Sequence, residues 1–246
     1  MNTLIIENLS VYIEEKSIIK QFSLTLSSGS IHALMGPNGS GKSSLAYALA
    51  GHPKYKAISG SALLNKKNLL DLPPHKRAQS GLFIAFQYPQ ALPGVNVFTF
   101  LKEAQAALTG QRPEVKEFRA RVEELFELLG LGSSFLDRAV NDGFSGGEKK
   151  RFEIVQLLLF KPRVAVLDEI DSGLDVDALR AVGKALELVR KEQPEMILFL
   201  ITHYQRILDY CIPDQVHILI DGVLQSSGDF QLARDIELKG YDGYRI

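Results

Sequence analysis

The sequence predicts an α/β fold in which a mixed sheet with a parallel core carries helices, an antiparallel β layer lies beside it, and a helical lobe is inserted. Three observations carry this prediction. Ile31 to Ser44 reads as an apolar strand, a glycine-rich loop spaced G-x-x-x-x-G-K-S from Gly36 to Ser43, and a helix start. From Ser145 onward, helix and strand patterns alternate, as in a parallel sheet whose crossovers are helical. Between Tyr88 and Asp142 the texture turns helical, which sets a lobe (88–142) apart from a core and β layer (1–87 and 143–246) within a single domain.

The chain has 246 residues, 46% of them hydrophobic, enough to bury a sizeable core. With 28 Lys and Arg against 29 Asp and Glu, the net charge of -1 argues against nucleic acid as a partner. No apolar run approaches the ~20 residues of a membrane span, and Met1–Glu7 has no basic leader. A cytoplasmic protein without membrane insertion is expected. The single cysteine, Cys211, rules out an internal disulfide and reads as core filler.

Taken in order, Leu4–Ile6, Val11–Ile13 and Phe22–Leu26 have strand texture, the last with period-two alternation. Ser28-Gly29 precedes the strand that feeds the glycine loop, and the following helix ends at Gly51. Ile58–Leu70 reads as a strand pair turning around Asn65-Lys66-Lys67-Asn68. Leu82–Phe86 is a short apolar run, so a buried strand, ending at Gln87 before Tyr88-Pro89. Helices are expected at Thr99–Leu108 and Glu114–Leu129, the second with Phe118, Val122, Leu125, Phe126 and Leu129 on one face. Then come a helix (Ser145–Phe160), a strand (Val164–Leu167), a helix (Asp175–Lys191) and a strand (Ile197–Ile201). Asp221-Gly222 between Val216–Ile220 and Val223-Leu224 is a two-residue hairpin signal.

The loop Gly36-Pro37-Asn38-Gly39-Ser40-Gly41-Lys42-Ser43-Ser44 has the makings of a phosphate cradle. Its glycines let the backbone turn so that N–H groups converge at a helix N-terminus, where the dipole favours an anion. Lys42 would reach the β- and γ-phosphates, and the Ser43 hydroxyl would sit on Mg²⁺. Val164–Leu167 delivers Asp168 and Glu169 at the carboxyl end of a strand, where α/β sheets bind ligands. Asp168 would help hold the metal and Glu169 would orient or deprotonate a water; capping the next helix is the competing role. Ser145 and Glu148 spell a capping box, S-x-x-E. The intervening Gly146 and Gly147 weaken a helix, and make sense if a phosphate must approach bare backbone there.

These residues, with Gln87, Asp175 and His203, stand in the order and spacing of the ATP-binding cassette (ABC) ATPases, which the chain resembles over nearly its whole length. The resemblance implies a Walker A loop at Gly36–Ser43, a Q-loop at Gln87 reaching nucleotide and metal, and a signature at Ser145-Gly146-Gly147-Glu148. It further implies a catalytic Glu169 after the Walker B Asp168, a D-loop ending at Asp175, and His203 as a switch at the γ-phosphate. ATP and Mg²⁺ are the implied cofactors, sandwiched between two copies of the chain. More narrowly, Phe86-Gln87-Tyr88-Pro89, Gly143–Arg151, Asp168–Asp175 and Thr202–Tyr210 resemble the SufC family of the SUF iron–sulfur cluster assembly system. That implies SufB- and SufD-like scaffold partners docking on the lobe after Gln87, with Phe98, Phe100 and Leu101 as apolar candidates, for which packing inside the lobe is the competing role. The position where many of these ATPases stack adenine on an aromatic ring falls at Ile13, with Tyr12 one residue away on the opposite strand face. Membrane-transporter ATPase subunits and DNA-associated cassettes are the competing classes. The neutral charge and short lobe disfavour the second.

Overall fold

The computed structural model describes residues 1–202 and 207–244. The chain divides into two compact units, Met1–Gln87 with Pro162–Ile170 and Gln193–Ile246, and Tyr88–Lys161 with Asp171–Glu192.

The first unit opens with two long strands, β1 (Thr3–Ile13) and β2 (Lys16–Ser27), that pair antiparallel with Leu4 opposite Leu26 and Ile6 opposite Leu24. Their alternation buries Leu4, Ile6, Leu24 and Leu26 on one face. A fully buried strand, β3 (Ile31–Met35), leads through the glycine loop into α1 (Lys42–Ala50). Then β4 (Lys56–Leu64) and β5 (Lys67–Asn68) complete a four-stranded sheet in the order β2-β1-β4-β5, which is the expected antiparallel layer. The turn between them is only Asn65 and Lys66, both left-handed (φ 49° and 70°); Lys67 and Asn68, expected in the turn, already pair with Leu64 and Leu63. A short helix not anticipated from sequence, α2 (Pro74–Gln79), precedes β6 (Leu82–Ala85).

In the second unit, β7 (Leu92–Asn96) leads into α3 (Val97–Thr109), whose N-terminus is capped by Asn96 Oδ1 accepting from Thr99 N at 3.1 Å. Next come α4 (Val115–Leu128) and β8 (Ala139–Val140), which pairs antiparallel with β7. After them run α5 (Gly146–Phe160) and α6 (Val176–Glu192). The apolar face of α4 is buried as its periodicity predicts, with the Phe126 ring edge-on to Phe152 of α5. Arg121 of α4 bonds both carboxylate oxygens of Glu192 on α6. Residues 88–142, the expected lobe, lie in this unit together with α5 and α6.

Of Phe98, Phe100 and Leu101, the first two are half-buried and the third is removed from the surface. Leu101 is fully buried, Phe98 packs on Phe118 and Phe100 on Phe152, because their spacing on α3 points them at α4 and α5. Exposed apolar residues in the segment immediately after Gln87 are Tyr88, Leu92 and Val95, and farther along the lobe Val115 and Leu128.

The first unit resumes with β9 (Val164–Asp168), β10 (Ile197–Ile201), β11 (Gln215–Ile220), β12 (Val223–Gly228) and α7 (Phe230–Lys239). A six-stranded sheet runs in the order β12-β11-β3-β10-β9-β6, parallel except for the edge strand β12. Strands β3, β9 and β10 are buried along their whole length, as unbroken apolar strands in a parallel sheet should be. Leu45 and Leu49 of α1 join Phe22, Leu34, Val166, Phe199 and Leu219 in one core between the layers. The hairpin at Asp221-Gly222 forms as predicted, with φ of 50° and 80°. Cys211 is buried and in no disulfide.

Candidate nucleotide site

The carboxyl ends of β3, β9 and β6 carry the candidate groups in the first unit. The order β3-β10-β9-β6 places the glycine loop, Asp168-Glu169 and Gln87 at the carboxyl ends of parallel strands.

Gly39 and Gly41 hold φ of 80° and 106°, a region that side chains strain to adopt. Gly41 is the N-cap of α1 and offers no side-chain cap. The first-turn amides of α1 therefore have no intrahelical acceptor, and Leu45 N is the first to bond back, to Gly41 O at 2.9 Å. Lys42 is buried, and its Nζ donates to the carbonyls of Gly36 at 2.8 Å and Pro37 at 3.0 Å. These bonds point the Gly36 and Pro37 oxygens at the ammonium. Burial pushes the Lys42 ammonium below its ordinary value, while the carboxylates of Glu169 and Asp168 pull it back up.

Ser43 Oγ donates to Asp168 Oδ1 at 3.2 Å, and Asp168 is wholly buried at the end of β9. Glu169 follows in a left-handed conformation (φ 48°), yet its N–H still donates to Ile201 O at 2.8 Å on β10. Strain of this kind in a non-glycine residue persists only where surrounding structure enforces it. The Gln87 side-chain nitrogen donates to Glu169 Oε2, so the carboxylate of this residue is held from the segment that follows β6.

This donor set suits a nucleotide and a hard cation. A glycine-capped helix N-terminus accepts an anion, a buried ammonium beside it adds charge, and Ser43 with Asp168 offers oxygen ligands of the kind Mg²⁺ takes.

Ser145, Gly146, Gly147 and Asp175 lie in the second unit. The capping box is complete. Ser145 Oγ accepts from Glu148 N at 3.2 Å, and Glu148 Oε2 accepts from Ser145 N at 2.7 Å. That last bond holds the Glu148 carboxyl below its ordinary value. A Cβ added at Gly146 would meet nothing within 4 Å, so the cap opens onto free space. Asp175 Oδ1 accepts from Ala178 N at 2.7 Å and so caps α6, a structural use that sequence reading had not given it. His203 lies outside the described residues. Tyr12 and Ile13 are half-buried at the end of β1, opposite Ser17 and Lys16.

Two supports of the loop carried no readable signal. Gly222 N donates to Ser40 O at 3.0 Å. Arg77 caps the far end of α1, donating to Ala48 O and Leu49 O at 2.8 and 2.9 Å.

A parallel sheet whose strand ends gather a glycine loop, a buried lysine and paired carboxylates defines a P-loop nucleotide-binding protein. The ABC transporter family profile matches residues 19–172. A protein described as a probable ATP-dependent transporter, ycf16 of Cyanophora paradoxa, is 45% identical over 243 residues, covering 96% of this chain and 92% of that one. Among solved structures, the ADP conformation of MJ1267, an ATP-binding cassette of an ABC transporter, is 25% identical with a TM-score of 0.75, covering 97% and 96%. The cassette MJ0796, a dimer in a post-hydrolysis state with ADP and Pi, shares the fold at 19% identity and a TM-score of 0.79, covering 92% and 98%. The chain belongs to the ABC transporter family and is an ABC-type ATPase cassette.

Proposed function

We propose that this cassette is the Mg²⁺-dependent ATPase subunit of a SUF-type iron–sulfur cluster assembly complex. It acts in the cytoplasm on SufB- and SufD-like scaffold proteins and pairs with a second copy when ATP binds. The observation that carries the nucleotide chemistry lies within one unit: Ser43 bonds Asp168, Gln87 bonds Glu169, and Lys42, next to Ser43 in the chain, is buried against the loop carbonyls of Gly36 and Pro37.

In this reading the first-turn amides and Lys42 bind the phosphates, and Lys42 leaves the Gly36 and Pro37 carbonyls to do so. Ser43, Asp168 and Gln87 hold Mg²⁺, which neutralises charge on the phosphate oxygens when bound. Glu169 accepts the proton of the attacking water, and Gln87 keeps its carboxylate aimed. Ser145, Gly146 and Gly147 serve the nucleotide of the second copy, as the open space at Gly146 suits. Asp175 and His203 complete that shared site. The dimeric state of the similar cassette MJ0796 supports the pairing.

The partner assignment rests on the SUF-like motifs at Phe86–Pro89, Gly143–Arg151 and Asp168–Asp175. It is also supported by the exposed Tyr88, Leu92 and Val95 immediately after the Q-loop, where a partner would dock. No helix among the described residues is long and apolar enough to cross a membrane. The name of the ycf16 protein favours a transporter subunit instead. Affinity purification of the tagged chain from its own cells separates the two. Soluble scaffold proteins in the eluate support the proposal, and a multi-span permease in their place overturns it.

A further inference from the structure

The N-cap of α5 stands on a turn that one arginine closes. Between β8 and α5 the chain turns through Asn141, Asp142 and Gly143, of which Asn141 and Gly143 are left-handed (φ 58° and 63°). Asp142 N donates to Ala139 O at 3.2 Å within the turn. The Arg138 side chain spans it, with Nη2 donating to Gly143 O at 2.9 Å and to Asp142 O at 3.4 Å. The same guanidinium lies over two rings, 4.5 Å from the centroid of Phe135 and 4.7 Å from that of Phe144. Those rings meet edge to face at 4.8 Å, and Phe144, itself buried, is also edge-on to Phe152 of α5. Ser145, the N-cap, follows Phe144 directly.

The turn is fastened at its other end as well. Arg138 O accepts from Val97 N at the start of α3, and Asn141 Nδ2 donates to Gln90 O, each at 2.9 Å. The residues leading to the cap are thus tied down, whereas Ser145 and Gly146 are exposed and Gly146 opens onto free space. A planar guanidinium can bond carbonyls with its edge while it stacks on aromatic rings, which an ammonium cannot do. Arg138 therefore sets the position of Ser145-Gly146-Gly147 before anything reaches them. A surface ordered in advance binds more tightly, because little conformational freedom is left to lose on association.

We propose that Arg138 is a positioning residue for the pairing of two copies of the chain: by closing the turn onto Phe144, it presents Ser145, Gly146 and Gly147 already ordered to the nucleotide phosphates of the second copy. This rests on the reading of those three residues given above. Arg138 lies in the second unit and the glycine loop in the first, so the chain's own phosphate binding should not depend on it.

The test is ATP hydrolysis by the full chain at saturating ATP and Mg²⁺ over a range of chain concentrations, with calorimetric titration of ADP alongside and thermal melting to establish that each variant is folded. In the unsubstituted chain the rate per chain should rise with concentration as pairs form. Arg138→Leu should raise the chain concentration for half-maximal rate roughly 5- to 20-fold, the loss of a charge-assisted hydrogen bond, with ADP affinity unchanged. Arg138→Lys keeps the charge without the planar fork and should raise it about 3-fold; it carries the test if the leucine variant does not fold. An unchanged half-maximal concentration in the folded variants overturns the inference, as does ADP affinity that falls in step with the rate. A rate per chain independent of concentration in the unsubstituted chain would instead remove the paired reading of Ser145–Gly147, and this inference with it.

Discussion

Ser43 Oγ donates to Asp168 Oδ1 at 3.2 Å, joining the first turn of α1 to the end of β9 across 125 residues of sequence. Both residues are proposed to hold Mg²⁺. Ser43→Ala should leave the fold intact and raise the Mg²⁺ concentration for half-maximal ATP hydrolysis roughly 10- to 100-fold. A Mg²⁺ titration of phosphate release checks this.

Lys42 bonds two loop carbonyls and carries the only buried ammonium of the loop. Lys42→Ala should weaken ADP binding on the order of 100-fold, from the loss of a charge-assisted bond to phosphate. Calorimetry reads the affinity, and circular dichroism should show an unchanged helix content.

Gly36 is set by space rather than by φ. A methyl group there would sit 2.1 Å from Leu219 O and 2.8 Å from Ser40 Oγ. Gly36→Ala should therefore cost about 1–3 kcal/mol of stability, as overpacking does. Urea unfolding with an unchanged m-value is the expected signature.

His32 of β3 and His217 of β11 stack in the core with ring centroids 5.2 Å apart. Ser30 donates to Ser27 O, so its oxygen accepts from His32 Nε2; His32 Nδ1 then accepts from His217 Nε2, and His217 Nδ1 accepts from Ser227. Both rings are thus neutral, with the proton on Nε2. Burial pushes each down to about 4, opposed at His32 by Asp214 and reinforced at His217 by the neighbouring His32. The unfolded chain binds these protons near pH 6.5, so stability is full above 6.5 and lost as pH falls toward 4. The loss should reach about 3 kcal/mol per ring, at about 1.4 kcal/mol per pH unit. Urea midpoints measured from pH 7.5 to 4 should fall in the parent, and less steeply in a variant with both histidines replaced by glutamine.

The site was legible where chemistry depends on covalent spacing. Gly36 to Ser43 must lie in one loop whatever the fold does, and Asp168-Glu169 ends a strand whose apolar run can be read directly. What pairs with these groups was less legible, because it is set by tertiary placement. Nothing local to Arg77 or Gly222 points to α1 or its loop. The same holds for His32 and His217, which lack metal-ligand spacing and meet only because β11 joins β3 in parallel. Short elements were missed for a related reason. Strands β7 and β8 are sustained by each other, and β8 has only two residues, too few for any period to show. For Phe98 and Phe100 the sequence left two roles open, a partner surface implied by the resemblance and packing within the lobe, and their ring contacts with Phe118 and Phe152 fit the second.

The central claim is that the loop and the β9 carboxylates act on one magnesium-bound ATP, with Glu169 handling the water. Phosphate release measured side by side for the unsubstituted chain and Glu169→Gln tests it most directly. The account predicts steady release from the first at saturating Mg²⁺ and ATP, and release roughly 100-fold slower or less from the second, with ATP still bound. Equal rates in the two proteins would contradict it.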